Sequence, residues 1–135
     1  MKKYDYFSKA LNNLNEGIKT EEPYSILEQT GIVALFEICF EQTWKLMKEI
    51  LERHGLIINK IASPRSVIKI AYQCNMIPDE QNWLELLETR NILAHTYDNE
   101  KALETIKKIK NQYIELFFEL KREIDDRWLL DVDDR

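Results

Sequence analysis

The clearest pattern in the chain is a run of apolar residues three or four apart: Ala102, Ile106, Ile109, Tyr113, Leu116, Leu120 and Ile124. That spacing draws one stripe along a helix. Phe117 and Phe118 widen it, as expected of a helix buried on more than one side, for instance at a dimer interface. A second stripe, Val33, Phe36, Phe40, Trp44, Met47 and Leu51, keeps close to a seven-residue rhythm and predicts a long helix over about 26–54. Tyr4, Phe7, Leu11 and Leu14 predict a short first helix over about 4–15, and Val67, Ile70 and Ala71 face inward from a third that ends near Cys74. Trp83, Leu86 and Leu87 form the stripe of a fourth.

Boundary residues agree with these elements. Ser25 and Glu28 have the spacing of a capping box, and Gly55 suits the left-handed cap after Glu52-Arg53-His54. His54 therefore reads as a helix-end residue rather than a ligand. Ser63-Pro64 supplies an N-cap with proline at the first helical position, Pro78-Asp79 opens the fourth helix, and Asp98 or Asn99 caps the last. Gly31 weakens the first turns of the long helix without breaking it. Only three glycines and three prolines among 135 residues, with 44% apolar content, point to an all-α protein. The expected architecture is one domain over 1–135, an antiparallel up-and-down bundle of four to five helices, with an acidic tail from about 127 to 135.

Charge and cysteine usage narrow the function classes. A net charge of −5 argues against a general nucleic-acid-binding surface, although much of the acidity sits at the end, in Asp125, Asp126, Asp131, Asp133 and Asp134, leaving room for a small cationic cleft. Cys39 and Cys74 lack metal-ligand spacing and suit buried thiols in a reducing compartment. With no leader-like start and no bilayer-length apolar run, a cytoplasmic protein is expected, without membrane contact.

The candidate chemistry lies in Arg90-Asn91-Ile92-Leu93-Ala94-His95-Thr96-Tyr97. Arg90 continues the apolar stripe of the fourth helix, and the positions three and four away are Leu86, Leu87, Leu93 and Ala94, none of them acidic. Its counter-charge must come from another helix, another chain or a bound anion. On one ideal helix Arg90 and His95 would point about 140° apart. Either the helix ends near Ala94 and His95 swings round, or two copies of the chain meet so that their motifs complement each other. Asn91 or Asp98 could orient the imidazole, and Tyr97, a heptad beyond Arg90, could bring its hydroxyl to the same side. Arg65 and Lys69 form another cation pair, more commonly found facing water than an anion.

Arg90, His95 and Tyr97 match the Arg-x4-His-x-Tyr motif of HEPN-domain proteins. Phe36-Glu37, Phe40-Glu41, Trp44-Lys45, Ser63-Pro64-Arg65 and Trp83 resemble the branch called nucleotidyltransferase substrate-binding proteins. The resemblance spans nearly the whole chain. It implies a homodimeric bundle with both motifs near the shared interface, related to HepT-like ribonuclease toxins that a minimal nucleotidyltransferase neutralises by adenylating the motif tyrosine. Carried over, Arg90 and His95 are catalytic, Asn91 supports them and Tyr97 accepts adenylate. RNA cleavage through its own 2′-hydroxyl needs a base, an acid and positive charge at the phosphate, none of which requires a metal. No cofactor is expected on this chain, since Mg²⁺ and ATP would belong to the partner enzyme. Two roles follow: a metal-independent endoribonuclease of a toxin–antitoxin pair, or a non-catalytic adaptor that binds a nucleotidyltransferase. The structural alternative is that Arg90 bridges helices, His95 closes a helix and Tyr97 anchors a turn. Trp44, Trp83 and Phe117-Phe118 fall on helical stripes and are expected in the core or an interface rather than stacked on bases.

Overall fold

A computed structural model describes residues 1–57, 62–95 and 98–129. The expectations for Thr96, Tyr97 and the acidic tail beyond 129 lie outside those residues. Every secondary-structure element among the described residues is helical: α1 (Lys2–Gly17), α2 (Ile26–Arg53), α3 (Pro64–Gln73), α4 (Glu80–His95), α5 (Asn99–Lys108) and α6 (Ile114–Glu123), with π-helical turns at Ile109–Tyr113 and Ile124–Trp128. The expected all-α architecture holds, with α5, α6 and both π turns forming one continuous rod.

The capping residues act where their chemistry places them. Ser25 Oγ accepts from Glu28 N and the Glu28 carboxylate accepts from Ser25 N, closing the capping box. Ser63 forms a corresponding box with Ser66 ahead of Pro64. Asp79 Oδ1 accepts from Asn82 N, and Asp98 Oδ1 accepts from Lys101 N. His54 is the C-cap of α2, followed by Gly55 at φ 72°, a left-handed conformation that glycine adopts without a Cβ clash.

The π turn at Ile109–Tyr113 fits the seam of the last helix. Ile109, Tyr113 and Phe117 are all fully buried at successive four-residue steps, and each such step on an α-helix drifts by about 40°. Widening one turn absorbs that drift and keeps the three side chains on one face. Phe36 from α2 stacks on Tyr113 at 5.9 Å, and Phe117 meets Trp83 edge-on at 5.7 Å, so three helices share one aromatic layer. All seven seam residues are buried.

Some inward positions differ from expectation. Ile68 is buried and Ile70 only half-buried, because α3 packs against both α2 and α4 and turns Val67, Ile68 and Ala71 towards them. Trp44 and Phe118 are half-buried, whereas Trp83 and Phe117 belong to the core. Cys39 and Cys74 are free thiols, and burial pushes the Cys39 thiol up to about 12 despite its hydrogen bond with Thr43. Among the described residues no helix is long and apolar enough to cross a membrane.

Helix directions bring α2 and α4 together near the motif. Phe36 meets Tyr113 and His54 meets Trp128, so α2 runs parallel to the α5–α6 rod. Gln112 bonds Asn82 while Leu93 and Lys101 line one cavity, so α4 runs antiparallel to it. The middle of α2 consequently faces the C-terminal half of α4.

Candidate functional site

Arg90 lies on α4 towards α2, and another helix supplies its counter-charge. Arg90 Nη2 donates to Glu41 Oε2 at 3.0 Å, although 49 residues separate the two in sequence. Its Nη1 donates to Asn91 Oδ1 at 3.0 Å, and its guanidinium carbon lies 5.6 Å from the centroid of the Phe40 ring. Phe40 and Glu41 are adjacent on α2. One helix thus supplies both the anion and an aromatic surface for the cation.

Glu41 is itself held from its own helix. Trp44 Nε1 donates to Oε2 at 3.0 Å, and Lys45 Nζ lies 3.3 Å from Oε1, partners three and four residues ahead. Partial burial raises the Glu41 pKa, but the hydrogen bonds of Trp44 and Lys45 and the charges of Lys45 and Arg90 outweigh it, holding the carboxyl below its usual value. The clamp is present above the ordinary carboxyl range and is lost only as pH falls through this lower folded value. Arg90 and Glu41 are each about a third exposed or less, at 28% and 33%. A pair this accessible adds at most about 1 kcal/mol to stability, so its larger consequence is to fix the guanidinium's direction.

His95 is the last residue of α4 and is exposed. Because the helix continues through it, His95 does not swing round after Ala94, and it leaves the helix about 140° from Arg90. Neither suggested orienting group meets it among the described residues: Asn91 bonds Arg90, and Asp98 caps α5. Tyr97 lies outside the described residues. Arg65 is exposed, and Lys69 reaches Glu80 at 4.0 Å.

Local sequence reasoning missed Glu41 as the partner of Arg90. Its signal was present in Glu41-x2-Trp44-Lys45, where two donors sit one turn ahead of a carboxylate on a helix crossing the motif helix. Glu41 and Arg90 are joined only once two distant helices are placed side by side.

The bundle, with arginine and histidine in the last turns of its fourth helix, has the fold of a HEPN toxin of solved structure. It superposes on a tri-AMPylated Shewanella oneidensis HEPN toxin, solved in complex with MNT antitoxin, with a TM-score of 0.75 at 18% identity, covering 92% of this chain and 94% of that one. A Thermus thermophilus protein of solved structure gives a TM-score of 0.74 at 28% identity, over 87% of this chain and 98% of the other. The family model described as "Nucleotidyltransferase substrate binding protein like" matches residues 2–126, and the chain belongs to that family. It is also 30% identical over 103 residues to the probable ribonuclease HepT of Haemophilus influenzae, covering 73% of this chain and 70% of that protein.

Proposed function

We propose that the protein is a HEPN ribonuclease toxin that cleaves RNA through the RNA's own 2′-hydroxyl and is silenced by a partner minimal nucleotidyltransferase. The observation that carries this reading is the fixed guanidinium of Arg90, held by Glu41 and Asn91 on the helix that ends in an exposed imidazole. Similarity to the probable ribonuclease HepT adds to it. In the reaction the 2′-oxygen bonds to phosphorus and the bond to the leaving 5′-oxygen breaks, yielding a 2′,3′-cyclic phosphate and a 5′-hydroxyl. His95 moves a proton, and Arg90 stabilises the crowded phosphate.

The reading includes a homodimer. Arg90 and His95 diverge on one helix, so a second copy is the simplest source of the complementary proton carrier. On α2 the exposed residues Leu27, Gly31, Ala34 and Ile38 follow one line at four- and three-residue steps, and the line continues to Glu41 and Lys45. A copy seated on this apolar line would lie against the clamp of Arg90. Ile38→Glu is expected to convert the dimer to monomers in sedimentation analysis while retaining helical content; an unchanged dimer would place the interface elsewhere.

Control acts at Tyr97. Its hydroxyl oxygen bonds to the α-phosphorus of ATP, pyrophosphate leaves, and the phenolic proton passes to the partner enzyme. The resulting phosphodiester brings negative charge and a bulky nucleoside to the motif, opposing RNA entry. Incubation with the partner, ATP and Mg²⁺ should add adenylate by intact mass, and Tyr97→Phe should prevent addition at this site. Equal addition to Tyr97→Phe would reject the assignment.

The competing role is an adaptor that binds a nucleotidyltransferase without cleaving RNA. The net charge of −5 is the observation in its favour. Arrested growth on expression of the chain alone, relieved by His95→Ala, selects the toxin.

A further inference from the structure

We propose that Lys45 and Arg90 form a two-cation phosphate subsite spanned by Glu41, with Lys45 contacting a second phosphate of the RNA and Glu41 acting as a positioning residue for both cations. This rests on the RNA-cleaving role above and adds two residues to it.

The two oxygens of Glu41 hold cations from different helices: Oε2 accepts from Arg90 Nη2 at 3.0 Å, and Oε1 lies 3.3 Å from Lys45 Nζ. Two contacts of that length and the width of one carboxylate keep the nitrogens within about 9 Å of each other. Trp44 Nε1 donates to the same carboxylate at 3.0 Å and fixes its orientation from a third direction. Two cations on one anion leave a local charge of about +1 in a chain of net charge −5.

Both cations keep capacity for a ligand. A guanidinium has five N–H groups and an ammonium three. Among the described residues Arg90 commits one donor to Glu41 and one to Asn91, and Lys45 meets no partner but Glu41, with its side chain 46% exposed. The next carboxylate along α2, Glu49, is instead paired with Arg53 at 4.0 Å. Lys45 therefore stands at the open edge of the clamp, on the line of α2 residues that leads from Ile38 through Glu41. A purely structural Lys45–Glu41 pair would add only a few tenths of a kcal/mol to the helix, and its removal would leave ligand binding unchanged.

The test is binding of a 2′-O-methyl RNA oligonucleotide, which cannot be cleaved because its nucleophile is blocked, measured by fluorescence anisotropy across a salt series. Wild type, Lys45→Ala and Glu41→Gln would first be matched for helical content. Losing one single-strand phosphate contact should make the log–log salt slope shallower by about 0.7 and weaken binding about fivefold near 0.1 M salt. Glu41→Gln should bind the oligonucleotide at least as tightly as wild type, while kcat on cleavable RNA falls about ten- to a hundredfold because Arg90 is no longer held in place. Wild-type affinity and slope in Lys45→Ala would overturn the second phosphate contact and leave the ribonuclease reading intact. An unchanged kcat in folded Glu41→Gln would overturn its positioning role. Failure of the wild type to bind or cleave any RNA would instead remove the ribonuclease reading, and this subsite with it.

Discussion

Arg90→Ala should lower RNA cleavage by about 10²–10³-fold, because the site loses its charged donor where phosphate charge accumulates. The loss should appear mainly in kcat. Arg90→Lys should recover little of it: an ammonium cannot present the planar fork that now addresses Glu41, Asn91 and the open side together. Both variants should melt close to wild type, since the exposed clamp contributes at most about 1 kcal/mol. Full cleavage by a folded Arg90→Ala protein would remove Arg90 from the chemistry and leave the ion pair as a helix-to-helix tie.

The largest stability effect is expected at Phe117. Its ring is fully buried and meets both Trp83, at 5.7 Å, and Phe36, at 6.5 Å, so it joins α6 to α4 and α2. Phe117→Ala should cost about 3–5 kcal/mol, combining lost transfer free energy with a cavity that three packed helices cannot close. Urea denaturation should show a much lower midpoint with nearly unchanged slope. Phe118→Ala, one residue along and half-buried, should cost much less. Equal costs at the two positions would contradict the placement of Phe117 in the aromatic layer. The fall at Phe117 should also reduce activity near the melting range, because the same aromatic layer fixes α4 beneath Arg90.

The bundle was legible in the sequence because local rules governed it. Ser25 with Glu28, Ser63 before Pro64, and Asp98 each act through a neighbour three residues away, within reach of a sequence pattern. The seam from Ala102 to Ile124 was likewise set by repeat, although the same three- and four-residue steps fit an unbroken α-helix and did not by themselves place the π turns. At the motif, sequence showed that Arg90 had no local carboxylate but left three sources open for the missing charge. The choice of Glu41 depends on α2 and α4 running antiparallel at one height, a tertiary fact. Asn91 and Asp98 were plausible supports for His95 by spacing alone. In the fold each has a stronger local use, one on the adjacent guanidinium and the other on the free N–H groups of α5.

The ribonuclease role is tested by cleavage of a mixed RNA substrate by wild-type protein beside His95→Ala, with intact mass first establishing that both preparations carry no adenylate. The wild type should produce fragments ending in 2′,3′-cyclic phosphate without added metal, and His95→Ala should lose at least about 10²-fold in rate. Equal cleavage by the two proteins, or none by a folded, unmodified wild type, would contradict the ribonuclease role and favour the nucleotidyltransferase-binding adaptor.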